Sequence, residues 1–251
     1  MENDELLLKK RFAELAKRAD NSGTFTYTPF LSLAERDILE RMRAELPAPF
    51  ETFGGAKGCE RVVARFGTAE LFGYDEAYPI KLLLAKPNSA KFADSLTHRD
   101  VLGALMALGI ERSATGDIVL RDNMAYIFCS DRIAEFIKNE FTAAKHTPMN
   151  CSYADELPEG ELYRLNEQEV TVASARLDCV AAAVFKLPRA DMQELIHKGL
   201  AFVNGRQTGS ASKELAQGDI VSVRGYGRFV YSGELRRTRK DRLVVRVGRY
   251  E

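Results

Sequence analysis

The chain has 251 residues, a formal net charge of zero and 45% hydrophobic residues, which fits a globular protein with a buried core. No stretch approaches the ~18 consecutive apolar residues of a membrane-spanning helix. The acidic amino terminus lacks the pattern of a secretory signal peptide. We therefore expect a cytoplasmic protein that contacts no membrane.

Charged residues are distributed unevenly along the chain. Residues 176–251 contain 15 lysines and arginines against 8 aspartates and glutamates, a net charge of +7. Residues 1–175 contain 21 against 28, a net charge of −7. Such a split favours a polyanionic partner for the basic end of the chain.

The cysteines and histidines indicate neither a metal site nor a cofactor. No two cysteines form a C-x-x-C pair, and their spacing fits no zinc pattern; they stand at Cys59, Cys129, Cys151 and Cys179. The three histidines are scattered. We expect buried or half-buried free thiols in a reducing compartment.

The beginning of the chain is predicted to be helical. Apolar residues over 4–19 recur with a period of about 3.6, as in an amphipathic helix. Ser32 and Glu35 have the spacing of a capping box at the start of a second helix, which ends before Pro47. Residues 1–52 are therefore predicted to be a helical N-terminal unit.

The middle of the chain mixes strands and helices. Strands are predicted over 61–66, 80–84, 118–120 and 125–128, and helices over 97–109 and 133–141. This order favours an RRM-like α+β sandwich of the split βαβ type over residues 53–150. Turn residues then predict a linker over 151–173, with a strand near Val170 and Val172.

The last part, residues 174–251, is predicted to contain two helices and a small β-sheet. Apolar residues from Leu177 to Val184 repeat at i, i+3, i+4 and i+7. Pro188 suits the first turn of the next helix, which Gly199 ends. Asn204-Gly205 is a strong hairpin signal. The fold class of the whole chain is therefore α+β.

Basic side chains of this last domain form the candidate RNA-binding site. Arg189, Gln193 and His197 are spaced by four and share one helix face, and the row contains no acid. Arginine donates paired hydrogen bonds to phosphate, and structured RNA is recognised largely through its shape and backbone. The predicted RNA-binding residues are Arg176, Lys186, Arg189, Gln193, His197, Lys198, Arg206, Arg224 and Arg228.

Two acidic residues of the domain are expected to stabilise the fold instead of contacting RNA. Asp178 falls in the first turn of a helix, and Asp219 falls in a turn before a strand. The basic run 236–240 is predicted to be a turn between strands that extends the positive surface.

The pattern of this domain resembles the αL RNA-binding domain first described in the fourth small-subunit ribosomal protein. The matching segments are Arg176-Leu177-Asp178, Arg189, Leu195-Ile196, Gly199, Val203-Asn204 and Gly218-Asp219-Ile220. Pro188 stands where serine is usual in that family, and Ala201-Phe202 precede Val203. These departures affect a helix cap and packing, and leave the basic residues in place.

Segments from most of the chain resemble the YlmH family of bacterial proteins. They are Thr28-Pro29-Phe30-Leu31, Phe53-Gly54-Gly55, Glu60-Arg61, Leu96–Gly103, Gly116-Asp117-Ile118 and Ser222–Phe229. The resemblance implies a helical N-terminus, an RRM-like middle domain and an αL domain. It also implies ribosome association and a role in quality control, the rescue of obstructed large subunits. The implied partners are ribosomal RNA of the large subunit and, as a further candidate, peptidyl-tRNA, with no small-molecule substrate.

Two other functions remain open from the residues. An RNA-modifying enzyme could use an αL domain for targeting, but the only Arg-Leu-Asp lies at 176–178 and Gly54-Gly55 follows no clear strand. His98-Arg99-Asp100 is better explained as a helix start, since Leu105 stands where a kinase loop needs asparagine. We expect no catalytic residue. A protein-interaction adaptor that docks through its acidic N-terminal part is the other alternative.

Overall fold

The computed structural model describes residues 2–160 and 162–250. The chain divides into two compact units, the first unit Met1–Leu162 and the second unit Tyr163–Glu251. No helix in the described ranges has the length and apolar character needed to cross a membrane. Helices and antiparallel sheets occur in both units, which confirms the predicted α+β class.

The first unit begins with two helices that pack on a small antiparallel sheet. Its helices are α1 (Glu2–Ser22) and α2 (Leu33–Arg41), and a 3-10 turn follows at Arg43–Glu45. The sheet has the order β1-β3-β2 and consists of β1 (Thr26–Tyr27), β2 (Phe50–Phe53) and β3 (Val63–Phe66). A short helix, α3 (Ala69–Phe72), comes next.

The predicted capping box and the two predicted helices are confirmed, but the predicted helical unit over 1–52 also contains two strands. The Ser32 hydroxyl accepts from the Glu35 N–H, and the Glu35 carboxylate accepts from the Ser32 N–H at 2.7 Å. Strands β1 and β2 were missed because they are short and pair only with β3, which lies beyond the predicted boundary. A strand of two to four residues depends on such long-range pairing more than on its own sequence pattern.

The rest of the first unit has the predicted split βαβ arrangement. Its elements in chain order are β4 (Ile80–Pro87), α4 (His98–Ala107), β5 (Thr115–Arg121), β6 (Met124–Ser130), α5 (Asp131–Glu140), β7 (Ala143–Ala144) and β8 (Thr147–Tyr153). The antiparallel sheet has the order β5-β6-β4-β8-β7, with 3-10 turns at Ala90–Phe92 and Arg112–Ala114. Thr97 and Asp100 form a capping box, which confirms that His98-Arg99-Asp100 opens a helix.

One face of this sheet packs on α4 and α5, and the other is covered around Phe128 by the beginning of the chain. Phe128 is 2% exposed and packs with Phe30 and Val63. A Cβ atom on Gly116 would lie 2.7 Å from the Phe30 ring and 2.9 Å from Phe128, so the close approach requires glycine there. The neighbouring Tyr126 is also buried, which favours core packing for both aromatics.

The beginning of the chain, which covers this sheet face and is called the covering segment below, is joined to the middle domain by hydrogen bonds. The Arg61 guanidinium donates to the carbonyl oxygens of Phe30, Arg112 and Thr115 at 3.0 Å each. The Asp117 carboxylate accepts from the backbone N–H of Glu60 at 2.6 Å. Residues on both sides of the predicted boundary at 52/53 therefore share one core, which explains why they form a single unit.

The second unit packs two helices on one face of an antiparallel sheet of order β11-β10-β12-β13-β14-β9. Its elements in chain order are β9 (Leu165–Val172), α6 (Leu177–Phe185), α7 (Arg189–His197), β10 (Ala201–Val203), β11 (Arg206–Gln207), β12 (Ile220–Val223), β13 (Gly227–Arg237) and β14 (Leu243–Tyr250). Asn204 and Gly205 both have positive φ in the predicted hairpin turn, and Gly199 ends α7 as expected.

Strand β9 occupies much of the range 151–173 that was predicted to be a linker. It pairs with β14 from Leu165↔Tyr250 to Val172↔Leu243, so the predicted short strand near Val170 is much longer. The sequence Asn166-Glu167-Gln168-Glu169 lacks the apolar alternation of a half-buried strand. It is an edge strand that gains its order from the ladder with β14.

Candidate nucleic-acid interface

Three side chains, one from the residue before α6 and two from α7, donate to one buried carboxylate of the second unit. Asp178, in the first turn of α6, has a side chain that is 0% exposed. Its Oδ2 atom accepts from Arg189 Nε at 2.9 Å, from Gln193 Nε2 at 2.7 Å and from Arg176 Nη2 at 3.1 Å. Arg176 Nε also donates to Oδ1 at 3.2 Å. We call these four residues the Asp178 clasp.

The clasp holds its arginines in place while leaving them accessible. The Arg176 side chain is 35% exposed and the Arg189 side chain is 48% exposed, although both are bonded to a fully buried carboxylate. In the described part of the chain, Nη1 of neither arginine has a hydrogen-bond partner. Two guanidinium groups on one carboxylate leave a net positive charge, so the outward nitrogens can still bind an anion.

The row itself contains no acid, but the expectation that no acid neutralises it is wrong, because Asp178 bonds to it from α6. Asp178 lies two residues after Arg176 in sequence but reaches α7 only through the packing of α6 on α7. On the exposed side of α7, Lys198 donates to Glu194 at 2.5 Å, so a negative charge nearby offsets the positive charge of that lysine. The expectation that Asp178 stabilises the fold is supported, since it joins two helices, and it also positions the arginines.

Acid should weaken the second unit through Asp178. Burial alone would raise the pKa of this carboxyl, but the hydrogen bonds from Gln193, Arg189 and Arg176 hold it below its ordinary value. The folded state therefore gains stability from Asp178 above the unfolded pKa of ~3.9, and loses it as pH falls through the lower folded pKa. The urea midpoint of the second unit should drop across that window.

The control for this pH series is Asp178→Asn, which removes the titrating group. The variant should be less stable at neutral pH, because an amide cannot accept from three donors as a carboxylate does. Its urea midpoint should lose the part of the acid dependence that belongs to Asp178. Equal acid dependence in both proteins would show that other carboxyls cause the change.

The other predicted residues of the two helices lie outside the clasp. His197 and Lys198 are exposed at the end of α7. His197 follows Arg189 by eight residues, roughly 12 Å along the helix axis. Lys186 is exposed and caps α6 with φ 56° and ψ 44°. The clasp therefore contains three of the predicted residues, namely Arg176, Arg189 and Gln193.

The predicted arginines of the sheet do not form one surface. Arg224 is exposed just after β12, with its guanidinium 5.0 Å from the centre of the Phe202 ring. Arg206 lies opposite Val203 in the edge hairpin. Arg228 precedes the buried Phe229 and so points to the sheet face away from the helices, 4.4 Å from the Tyr250 ring. A single continuous basic surface is therefore not what the structure shows.

Sequence reasoning missed Arg249, which lies near the end of β14. Its guanidinium is 5.5 Å from the centre of the Phe185 ring, and Nη2 donates to the Tyr226 carbonyl oxygen at 3.3 Å. Only the pairing of β13 with β14, with Phe229 opposite Arg249, brings it there. The charge count of the domain includes Arg249, but no local motif distinguishes it from its neighbours.

Asp219 has the structural role that was predicted for it. Its Oδ1 atom accepts from Asn204 Nδ2 at 2.8 Å, and its Oδ2 atom accepts from the Ala216 N–H at 3.0 Å. Asn204 Oδ1 in turn accepts from the Ile220 N–H at 2.9 Å. These bonds join the β10–β11 hairpin to the turn before β12.

The cysteines pack as predicted. All four are free; Cys59, Cys129 and Cys179 are buried and Cys151 is half-buried. Burial raises the pKa of Cys59 and of Cys129 to about 12, which makes them poor nucleophiles at neutral pH. Across residues 2–160 and 162–250, no group of histidine, cysteine and acidic side chains has the arrangement of a metal site.

A family model, a curated protein and a solved structure are similar to this chain. Residues 75–155 match a family model described as "Putative RNA-binding domain in YlmH". The chain is 28% identical over 228 residues to the ribosome-associated protein quality control protein P2 of Bacillus subtilis strain 168, covering 87% of this chain and 84% of that protein. The solved structure of cell division protein ylmH from Streptococcus pneumoniae is 20% identical, with a TM-score of 0.49 over 60% of this chain and 91% of that chain.

The class of protein follows from the domain match. This is a chain with a YlmH-type middle domain, and the α+β fold agrees with that class. The extent of the match to the Bacillus subtilis protein, which runs over most of both chains, confirms the resemblance to the YlmH family.

Proposed function

We propose that this protein is a cytoplasmic, non-catalytic RNA-binding protein that associates with the ribosome through its second unit. The observation that carries the proposal is the Asp178 clasp, which fixes two exposed arginines on one buried carboxylate. Fixed, outward guanidinium groups suit the phosphates of a folded RNA, where the positions of the charges are set. We assign the second unit to the αL type of RNA-binding domain.

The comparisons support an association of this protein with the ribosome. The Bacillus subtilis relative is named as a ribosome-associated quality control protein. We propose ribosomal RNA of the large subunit as the main partner, peptidyl-tRNA as a second one, and the rescue of obstructed large subunits as the process. The positive charge of residues 176–251 supports a polyanionic partner at this end of the chain.

The middle domain contributes less to this proposal than its family description suggests. RRM domains stack bases on aromatic residues at the centre of their sheet. In this chain the corresponding aromatics, Tyr126 and Phe128, are buried, and Phe30 lies against Phe128. Any RNA contact of residues 75–155 therefore has to use another surface.

The salt dependence of RNA binding tests the proposal. Full-length protein is titrated with deproteinised large-subunit ribosomal RNA at several salt concentrations, and log K is plotted against log salt. Lys186→Gln and Arg224→Gln should each lower affinity and reduce the slope by ~0.7 to 0.9, the contribution of one phosphate contact. Both residues are exposed, so the fold should be retained.

The matched control is Lys17→Gln, an exposed lysine of α1 in the first unit. It makes the same change of charge and should leave the slope unchanged. A slope that falls as much for Lys17→Gln as for Lys186→Gln would contradict an RNA site in the second unit. Mapping nucleotides after incubation tests the non-catalytic role, since a new modification of the RNA would refute it.

A further inference from the structure

An aromatic side chain stands exposed at the turn between β12 and β13. Tyr226 is 39% exposed and is one of the large apolar side chains of the described residues that face solvent. Gly225 and Gly227, on either side, have φ of 86° and 113°, a region that disfavours other residues. The two glycines therefore shape the turn and place no side chain beside the ring.

The turn is held in place from two sides. The Tyr226 N–H donates to the Val223 carbonyl oxygen at 3.0 Å, and the Tyr226 carbonyl accepts from Arg249 Nη2 at 3.3 Å. The Tyr226 ring lies 6.1 Å from the ring of the buried Phe185, with the two planes tilted by 51°. Part of the ring rests on the core while the remainder faces outward on a fixed backbone.

Basic residues adjoin this ring. Arg249 bonds to its carbonyl group, whereas the Arg224 guanidinium lies over the Phe202 ring and is not part of this cluster. Lys186 follows Phe185, the residue on which the ring packs. No acidic residue occurs in the sequence between Asp219 and Glu234. An exposed aromatic ring beside cations matches the two requirements of a single-stranded nucleic acid, which are stacking for a base and positive charge for its phosphates.

We propose that Tyr226 stacks on an unpaired base of the bound RNA, with Lys186 and Arg249 beside the phosphates of the same strand. The proposal rests on the RNA-binding function proposed above and adds to it that the RNA presents an unpaired nucleotide. Bases in loops and bulges are accessible to aromatic side chains, unlike those inside an A-form helix. The alternative is that Tyr226 only covers the end of the core at Phe185.

Paired substitutions of Tyr226 separate stacking from core covering. Tyr226→Leu keeps an apolar cover over Phe185 but removes the aromatic ring, whereas Tyr226→Trp keeps a stacking surface. The full-length proteins are titrated with deproteinised large-subunit ribosomal RNA over a salt series. Loss of one stacked base should weaken binding by roughly 5- to 150-fold. The leucine variant should show this loss with an unchanged salt slope, because stacking neutralises no phosphate.

The outcomes distinguish the two proposals. If the wild type binds with salt dependence and the leucine variant binds equally well, stacking is refuted and the RNA-binding function stands. If the wild type shows no salt-dependent binding, both fail. Ultraviolet crosslinking of the wild type to the same RNA avoids any effect of substitution on folding. A crosslinked nucleotide on Tyr226 is expected, and crosslinks found only elsewhere in the chain would overturn the proposal.

Discussion

Replacing Arg176 and Arg189 together with alanine should destabilise the second unit by about 3–5 kcal/mol, the usual effect of leaving a buried charge without its partner. Asp178, whose side chain is fully buried in the native protein, would keep Gln193 as its only side-chain donor from the clasp. Urea unfolding of the full-length protein measures the loss, and hydrogen exchange of the α6 amides assigns it to the second unit.

Adding Asp178→Asn to that double variant should recover much of the lost stability. The neutral amide no longer needs two counter-charges, so the stability changes at these positions should be strongly non-additive. RNA binding should stay weak in the triple variant, since both guanidinium groups are absent. A triple variant no more stable than the double variant would contradict the clasp, and one that binds RNA like the wild type would remove the arginines from the interface.

Phe30→Ala should destabilise the first unit by about 3–5 kcal/mol, because a large buried aromatic side chain is removed from a packed site. Phe30 contacts the sheet beside Phe128 and Gly116, where the start of the chain covers the RRM-like face. Urea unfolding is again the measurement. Leu7→Ala is the control, since Leu7 is exposed in α1 and its loss should change stability by less than about 0.5 kcal/mol.

The Phe30 variant also tests the role of the covered sheet face. Under conditions where it remains folded, its affinity for large-subunit ribosomal RNA and its salt slope should match those of the wild type. A gain of affinity would mean that uncovering Phe128 creates a base-stacking surface. A loss of affinity in the folded variant would place the covering segment itself in the RNA interface.

Much of the fold could be predicted because local signals agree with the tertiary structure. The capping boxes at Ser32 and Thr97 and the Asn204-Gly205 turn lie at the positions predicted from sequence. Each is a local motif, because its hydrogen bonds or backbone angles depend on residues a few positions apart. Long-range pairing was harder to predict, since strands β2 and β9 acquire their order from β3 and β14.

The sequence predicted which residues belong to the candidate site better than it predicted how they contact one another. The spacing of Arg189 and Gln193 placed them on one face of α7, as the structure has them. The packing of α6 on α7 that brings Asp178 to both cannot be read from spacing within either helix. The same limit applies to Arg228, because the side of the sheet on which a strand residue points depends on register and on which face the helices cover.

The family motifs of the first unit have a structural explanation. Phe30, Arg61, Gly116 and Asp117 come from the segments that resemble YlmH, and all lie where the start of the chain meets the middle domain. Their contacts join the two parts into one core, so their residue types follow from packing and hydrogen bonding.

For the RNA contact proposed above, the clasp has a kinetic consequence. Ordering a flexible side chain on binding costs about 0.5–1.5 kcal/mol, and Arg176 and Arg189 are already ordered by Asp178 before any ligand arrives. These two arginine side chains then do not have to change rotamer when the RNA arrives. The lifetime of the complex, set by how well the fixed guanidinium groups match the phosphates, becomes the quantity that distinguishes a correct RNA from an incorrect one.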